Sequence, residues 1–137
     1  MRKSMYGPLP KSRNSPLEPF DYSPPDLVPI ELIHQDRRVL VVNKPNGLLS
    51  VAGKHPAHAD CLEARVQSEF PAARTVHRLD RDTSGVMIFA LDAASHRHLG
   101  QQFERRMVGK IYHAKVHGNP SQDSGTIDLP ICTDWPN

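Results

Sequence analysis

Short apolar runs separated by polar turns recur along the chain from about residue 30 onward. The runs at residues 30–34, 39–42 and 86–91 have strand length and are rich in aliphatic side chains, so they predict β-strands. The last two contain no polar interruption and can be covered on both faces. Residues 111–116 alternate apolar and polar side chains, which predicts a further strand with one exposed face.

Two segments repeat apolar residues at helical spacing instead, and each follows an aspartate that can cap a helix. Asp60 precedes a predicted helix over residues 61–70, and Asp92 precedes one that extends to about residue 106. The apolar positions on their buried faces are Leu62, Val66 and Phe70 in the first helix, and Leu99, Phe103 and Met107 in the second. Strands and helices mixed in this way predict an α+β or α/β fold.

The first 29 residues differ from the rest in composition. They hold seven of the 13 prolines, few aliphatic side chains and no hydrophobic period. Such a sequence cannot bury enough apolar surface to fold by itself, so we expect an extended or disordered arm over residues 1–29. The remaining residues, 30–137, have the length and mixed composition of one folded domain.

Composition argues against several classes of protein. Two cysteines far apart, no Cys-x-x-Cys and no apolar run near about 18 residues predict a reduced, cytoplasmic protein without a membrane span. The formal charge is only +2, but residues 72–117 hold eight Lys or Arg against four acids, which favours phosphate binding. We expect no metal site, because the histidines lack further ligands at suitable spacing: His55, His58, His113 and His117.

The densest cluster of reactive side chains lies at residues 77–85, His-Arg-Leu-Asp-Arg-Asp-Thr-Ser-Gly, directly before an apolar run. We expect a loop that enters a buried strand and holds a reactive side chain at the edge of the sheet. Within it, Asp80 has Arg78 and Arg81 close in sequence, which favour its ionised form and a role as nucleophile or base. On spacing alone, a surface turn with ordinary Arg–Asp pairs is an equal alternative.

The cluster at residues 77–85 resembles the signature of the RluA family of pseudouridine synthases, with Asp80 at the position of the family's catalytic aspartate. Two more segments resemble family motifs in the same order: residues 42–50, Val-Asn-Lys-Pro-Asn-Gly-Leu-Leu-Ser, and residues 110–118, Lys-Ile-Tyr-His-Ala-Lys-Val-His-Gly. The tail at residues 127–137 resembles the branch that modifies both large-subunit ribosomal RNA and a transfer-RNA anticodon stem-loop.

The resemblance implies an α+β fold with a mixed, mainly antiparallel central sheet, flanking helices and an active-site cleft across the sheet. It implies isomerisation of specific uridines in 23S rRNA or tRNA, with RNA as the partner and no cofactor, because no redox change occurs. Asp80 is the implied catalytic residue, Tyr112 would stack on the flipped uracil, and Arg78 would enter the vacated stack. Lys110 and Arg81 would bind RNA. The residues implied to support the loop are His77, Thr83, Ser84 and Gly85.

The resemblance implies that residues 30–137 are the N-terminal portion of a pseudouridine synthase catalytic domain. In the family this domain continues further and later supplies a basic residue that pairs with the catalytic aspartate. We therefore expect the C-terminal part of the fold to be missing, with exposed sheet edges or apolar surface, and the chain alone to be inactive or to need a partner. The alternative is a non-catalytic RNA-binding module or inactive fragment that keeps the basic cleft.

A carboxylate hydrolase that uses Asp80 and Asp82 is disfavoured, because such an enzyme needs two acids at a defined separation and no second acid lies at an identifiable spacing from Asp80. For Lys44, structural and RNA-contacting roles are equally supported.

Overall fold

The computed structural model describes residues 20–26 and 29–130, and within them the chain forms four strands and two α-helices. In chain order these are β1 (Glu31–Gln35), β2 (Val39–Lys44), α1 (Leu62–Glu69), β3 (Arg74–Thr75), β4 (Gly85–Ala90) and α2 (Ala93–Glu104), with a short 3₁₀ helix at Pro56–His58. The α+β class is confirmed. Predictions for residues 1–19, 27–28 and 131–137 lie outside the described residues. No helix in the described ranges is long and apolar enough to cross a membrane.

The four strands lie in the order β1, β2, β4, β3, and every pairing between them is antiparallel. β2 and β4 form the centre and pair along their whole length, from Val39 opposite Ala90 to Lys44 opposite Gly85. The mainly antiparallel sheet that the resemblance implied is therefore present. Its two central strands are those whose uninterrupted apolar runs indicated that both faces can be covered.

One face of the sheet packs on α1 and forms the core. The buried side chains of this cluster are at most 2% exposed: Leu40, Val42, Leu48, Leu62, Val66, Ala73, Met87 and Phe89. α1 contributes Leu62 and Val66, as its spacing predicted, and Phe70 packs against the cluster while partly exposed. Full burial of an aliphatic side chain of this size contributes roughly 1.5–3 kcal/mol, so this cluster is what holds the helix to the sheet.

The two helices are capped by different kinds of side chain. Asp92 caps α2 as predicted, because its carboxylate accepts the N–H of Ser95 at 2.8 Å. Asp60 was expected to cap α1, but the cap is Cys61, whose Sγ accepts a backbone N–H of the first turn at 3.4 Å. The prediction for Asp60 is wrong because its carboxylate pairs with Arg65 instead, and a charge-assisted pair is the stronger interaction.

α2 packs beside the other face of the sheet and leaves much of that face open. Leu99 and Phe103, expected on a buried stripe, are only partly buried, and Met107 is 68% exposed. Val86 on β4 is 60% exposed, since no described element covers it. The exposed apolar surface expected from the sequence is therefore present, and it extends to Ile111, Val116, Ile127 and Leu129.

Residues 111–116 do not form the predicted strand. The chain from 107 to 130 contains no helix or strand, and residues 109–130 are exposed throughout. Residues 108–113 border the open face of the sheet, where Val41 and Ile88 lie, and pair with neither edge strand. Alternating side chains become a strand only when a neighbouring strand takes up the backbone hydrogen bonds, and the described sheet offers no such partner here.

Candidate functional site

The residue with the strongest motif support, Asp80, lies on a tight turn between β3 and β4. We call residues 79–82 the Asp80 loop. The Thr83 N–H donates to the Asp80 carbonyl at 3.1 Å and closes the turn, and Asp80 is exposed. Gly85 then begins β4 with φ of 131°, a conformation that residues with a side chain rarely adopt. As predicted, a polar loop leads into a strand with buried residues and presents a carboxylate to solvent.

Lys44 ties the Asp80 loop to the end of β2. Its side chain is fully buried, and its Nζ donates to the carbonyls of Pro45 and Arg81, each at 2.9 Å. Burial lowers the pKa of Lys44, while the charges of Asp82 and Asp80 act in the opposite direction. A buried ammonium group needs such partners because an uncompensated interior charge is costly. The structure therefore favours the structural role for Lys44, since an amine without exposed surface cannot contact RNA.

Further hydrogen bonds join the loop to residues 44–50, which we call the anchor segment. They run from the Gly47 N–H to the Arg81 carbonyl (3.0 Å), from Asn46 Nδ2 to the Asp82 carbonyl (2.6 Å), from Ser50 Oγ to the Leu79 carbonyl (2.6 Å) and from the Leu79 N–H to Ser50 Oγ (3.1 Å). Ser50 is 4% exposed, so water does not compete for its bonds. The anchor segment and the Asp80 loop consequently form one unit.

Arg81 pairs with the neighbouring carboxylate, Asp82. Its Nε and Nη2 donate to the two oxygens of Asp82 at 2.8 and 2.9 Å, and its Cζ lies 5.7 Å from the centre of the Phe20 ring. This pairing lowers the pKa of Asp82. Two arginines were expected to act on Asp80, and one of them, Arg81, instead forms a bidentate ion pair with Asp82. The other, Arg78, is exposed and forms no ion pair with a described residue.

His77, two residues before the Asp80 loop, connects the chain entering the loop to both β4 and α2. Its Nε2 accepts the N–H of Ile88 at 3.1 Å, beyond the point where the two-residue strand β3 pairs with β4. Its ring stacks on Phe103 with 4.5 Å between centroids, and the Lys110 ammonium lies 5.2 Å from the Phe103 ring. Burial, together with the charge of Lys110, lowers the pKa of His77. The imidazole is therefore neutral near pH 7, with its proton on Nδ1 because Nε2 is an acceptor.

A groove on the open face of the sheet brings together several of the predicted site residues. Its lining includes His77, Thr83, Ser84, Gly85, Lys110 and Tyr112, together with Leu79 and Asp82 of the Asp80 loop. Tyr112 is 61% exposed, so its ring is accessible to a ligand. Asp80, Arg78 and Arg81 belong to the same loop region but do not line this groove. No three His, Cys, Asp or Glu side chains converge on a metal position within residues 20–26 and 29–130.

The sequence did not single out Ser50, Asn46 or Tyr22, although all three hold the site together. Ser50 closes an apolar run, Gly-Leu-Leu-Ser, and a polar side chain at such a place is a signal for a buried hydrogen bond. Tyr22 lies in the Pro-rich arm, where its signal was an aromatic pair, Phe20 and Tyr22, in a stretch with few other apolar side chains. Asn46 lies within residues 42–50, which resemble a family motif, but that resemblance did not indicate which bond its side chain makes.

Comparison with known proteins adds an independent observation to this geometry. The profile of the RNA pseudouridylate synthase family matches residues 38–135. The chain belongs to this family. The family prediction from residues 77–85 is therefore confirmed, and the matched range contains the anchor segment, the Asp80 loop and Tyr112.

Curated relatives of this family carry the name Dual-specificity RNA pseudouridine synthase RluA. The one from Salmonella typhi is 47% identical over 117 residues, which are 85% of this chain and 53% of the relative. The one from Yersinia pestis is 51% identical over 106 residues, 77% of this chain and 52% of the relative. The chain thus spans about half the length of the curated relatives it matches. A solved structure, Human RNA Pseudouridylate Synthase Domain Containing 4, is 29% identical and covers 56% of this chain and 30% of that chain, with a TM-score of 0.47.

Proposed function

We propose that the full-length protein converts specific uridines of structured RNA into pseudouridine, with Asp80 as the catalytic carboxylate. Family membership supports the reaction class, and the construction of the Asp80 loop supports the residue. Asp80 is exposed on a turn whose flanking carbonyls are fixed by buried groups: that of Leu79 by Ser50, and that of Arg81 by Lys44. The proposal for Asp80 rests on this observation: the backbone on both sides of the residue is held by hydrogen bonds while its carboxylate is exposed.

The reaction breaks the C1′–N1 bond, turns the uracil and joins C1′ to C5 of the base. C5 loses its proton once it is joined to C1′, and the freed N1 takes up a proton, so the product is an isomer of uridine. No electrons are gained or lost, so the chemistry needs no electron carrier. It needs an ionised carboxylate that attacks C1′, adds to C6 or removes a proton from the sugar. Asp80 suits each of these steps because it is open to solvent while its backbone is held.

A uridine inside a folded RNA must leave its stack before Asp80 can reach it. We assign Tyr112 to stack on the flipped uracil, an interaction that contributes about 1–3 kcal/mol per base. Arg78, exposed and without a described ion-pair partner, would fill the vacated place with its planar guanidinium. Lys110 and the Nη1 group of Arg81, which has no hydrogen bond to a described residue, would bind phosphates. His77, Thr83, Ser84 and Gly85 would support the loop.

We further propose two RNA substrates, 23S ribosomal RNA and a transfer-RNA anticodon stem-loop, modified in the cytoplasm. The resemblance of residues 127–137 supports this choice, and it agrees with the dual specificity in the names of the relatives. The excess of Lys and Arg over acids at residues 72–117 supports phosphate contact in the same region of the chain.

The test incubates the full-length protein with both RNAs and maps new pseudouridines chemically. Asp80→Asn should abolish isomerisation while RNA binding stays within about twofold, because the carboxylate acts in the chemical step. Asp123→Asn is the matched control, since it makes the same change at an exposed aspartate and should leave the rate unchanged. Wild-type rates in Asp80→Asn would refute the assignment of Asp80. RNA binding by the wild type without isomerisation would favour the non-catalytic RNA-binding module.

A further inference from the structure

A segment without helix or strand before β1, residues 20–26, packs against the anchor segment, and we call it the strap. The hydroxyl group of Tyr22 makes the central contact: it donates to the Asp60 carbonyl at 2.8 Å and accepts the Leu49 N–H at 3.1 Å. Burial raises the pKa of Tyr22, so the hydroxyl group remains a donor throughout the neutral range. One side chain of the strap thus bridges the anchor segment and Asp60, two residues before α1.

α1 holds the other end of the strap through Arg65, whose side chain is 9% exposed. The Arg65 Nη2 donates to the Pro25 carbonyl at 2.7 Å, and Nη1 donates to the Asp26 carbonyl at 3.3 Å. The same guanidinium pairs with Asp60, at 2.8 Å from Nε and 2.7 Å from Nη2. Charge-assisted bonds to largely buried donors are among the stronger contacts of a small domain, so the strap is attached at defined points.

Phe20, at the start of the strap, reaches the Asp80 loop directly. Its ring stacks on His58 with 3.9 Å between centroids and an interplanar angle of 25°, and the Cζ of Arg81 lies 5.7 Å from the same ring. His58 is 5% exposed, and its Nε2 donates to the Phe20 carbonyl at 3.1 Å. Because the His58 ring is fixed in this way, Phe20 presents a fixed surface to the guanidinium of Arg81.

These contacts approach Asp80 from both of its neighbours in the chain. On one side, Tyr22 holds Leu49, and the next residue, Ser50, holds Leu79. On the other side, Phe20 lies against Arg81. We propose that the strap is a positioning element for the Asp80 loop, in which Tyr22 and Phe20 are positioning residues that set where the Asp80 carboxylate stands.

This inference rests on the proposed function for its catalytic consequence but not for its structural one. The family profile begins at residue 38, so the strap lies outside the matched range and the family match assigns it no role. Displacement of a reacting group by about 1 Å can lower a rate by about 10²-fold. Loss of the strap should therefore act on kcat more than on KM, since neither Tyr22 nor Phe20 would touch the RNA base.

The first test compares Tyr22→Phe with Leu40→Val in the full-length protein. Tyr22→Phe removes only the hydroxyl group, whereas Leu40 lies in the core at the end of β2 remote from Lys44, so its substitution lowers stability without touching the strap. We expect Tyr22→Phe to lower kcat about tenfold with KM within twofold, and Leu40→Val to leave both unchanged well below its Tm. Equal kcat in Tyr22→Phe and wild type would overturn the proposal.

A second readout needs no RNA. In Tyr22→Phe, hydrogen exchange at the Leu79 and Thr83 amides should become faster, because both N–H groups donate within the unit that the strap holds. Exchange at these amides that is unchanged, or accelerated equally in Leu40→Val, would show that the strap only adds stability. If the wild type isomerises no uridine, the proposed function fails, while this exchange measurement still decides whether the strap holds the loop.

The stacking half of the strap is tested by two substitutions at one position. Phe20→Leu keeps an apolar side chain but removes the ring that faces Arg81, so it should lower kcat severalfold. Phe20→Tyr keeps an aromatic ring at this position and should retain wild-type kcat. The same loss in both variants, or in neither, would contradict a role for stacking at residue 20.

Discussion

Replacement of the buried lysine of the anchor segment tests whether the Asp80 loop is held as described. In Lys44→Met, a side chain of similar length without charge occupies the same space. The Arg81 carbonyl keeps the Gly47 N–H at 3.0 Å, so the Pro45 carbonyl alone loses its described donor. The change therefore removes the link between β2 and the loop while leaving the surrounding packing largely filled.

The magnitude follows from two opposing contributions to the free energy of unfolding. Each hydrogen bond from a charged donor contributes about 1.5–3 kcal/mol, which favours the wild type. Burial of an ammonium group costs several kcal/mol, which favours methionine. Because these contributions largely cancel, we expect Lys44→Met to lower the free energy of unfolding by about 2 kcal/mol or less. The bonds of Gly47, Asn46 and Ser50 to the loop remain and only the bond from Lys44 is lost, so kcat should fall by about tenfold.

The stability difference should also depend on pH in a defined direction. Burial lowers the pKa of Lys44 in the folded protein below its ordinary value of 10.5, so the unfolded chain binds more protons at pH values between the two. Stability therefore rises with pH across this window in the wild type, and Lys44→Met lacks that contribution. Denaturant titrations of both proteins from pH 8 to about 10.5 should show the wild type gaining on the variant.

The matched control is Lys54→Met, the same change at an exposed lysine, which should alter neither kcat nor the free energy of unfolding. Wild-type kcat in Lys44→Met would refute the view that Lys44 holds the loop. A loss of stability far above about 2 kcal/mol would refute the cancellation between hydrogen bonding and desolvation.

Two further predictions concern the groove. The pKa of His77 is lowered in the folded protein, so the stability that its neutral ring contributes is complete above pH 6.5 and is lost as the pH falls through the folded-state pKa. His77→Phe keeps the stack on Phe103 but cannot titrate. Thermal melts of this variant should therefore show a smaller loss of Tm at low pH. Tyr112→Ala should lower kcat/KM by about 10- to 100-fold through lost stacking while Tm changes little, because residue 112 is exposed. Tyr112→Phe keeps the ring and should retain most activity, and equal losses in both Tyr112 variants would argue against stacking.

The spacing of apolar residues along the chain predicted the strands and helices that bury their own apolar side chains in the core. β2, β4, α1 and α2 formed close to the expected residues, since apolar periodicity decides which side chains a strand or helix can bury. Residues 111–116 failed because a strand also needs a partner, and alternation does not supply one. β3 escaped notice because two residues carry no period; it exists through its pairing with β4.

The sequence predicted which residues form the candidate site better than it predicted the contacts between them. The motif indicated Asp80 and its neighbours, but sequence spacing alone could not reveal that Arg81 would pair with Asp82, or that the amine of Lys44 would be buried against a carbonyl 37 residues away. The composition of residues 1–29 predicted an extended or disordered arm, which stays a prediction; of this stretch, the described residues 20–26 contain no helix or strand. Composition could not reveal their contacts, since these depend on where Leu49, His58 and Arg65 lie in the fold.

The register of the two central strands explains why the site lies where it does. Lys44, the last residue of β2, pairs with Gly85, the first residue of β4, so the chain leaving β2 and the chain entering β4 emerge at the same end of the sheet. Antiparallel pairing thus brings the anchor segment beside the Asp80 loop before any of their own hydrogen bonds form. A slip of one residue would turn Lys44 to the opposite face and break its bond to the Arg81 carbonyl. The core side chains Val42 and Met87, directly opposite each other and next to this end of the sheet, therefore also fix the geometry of the site, because they hold this register.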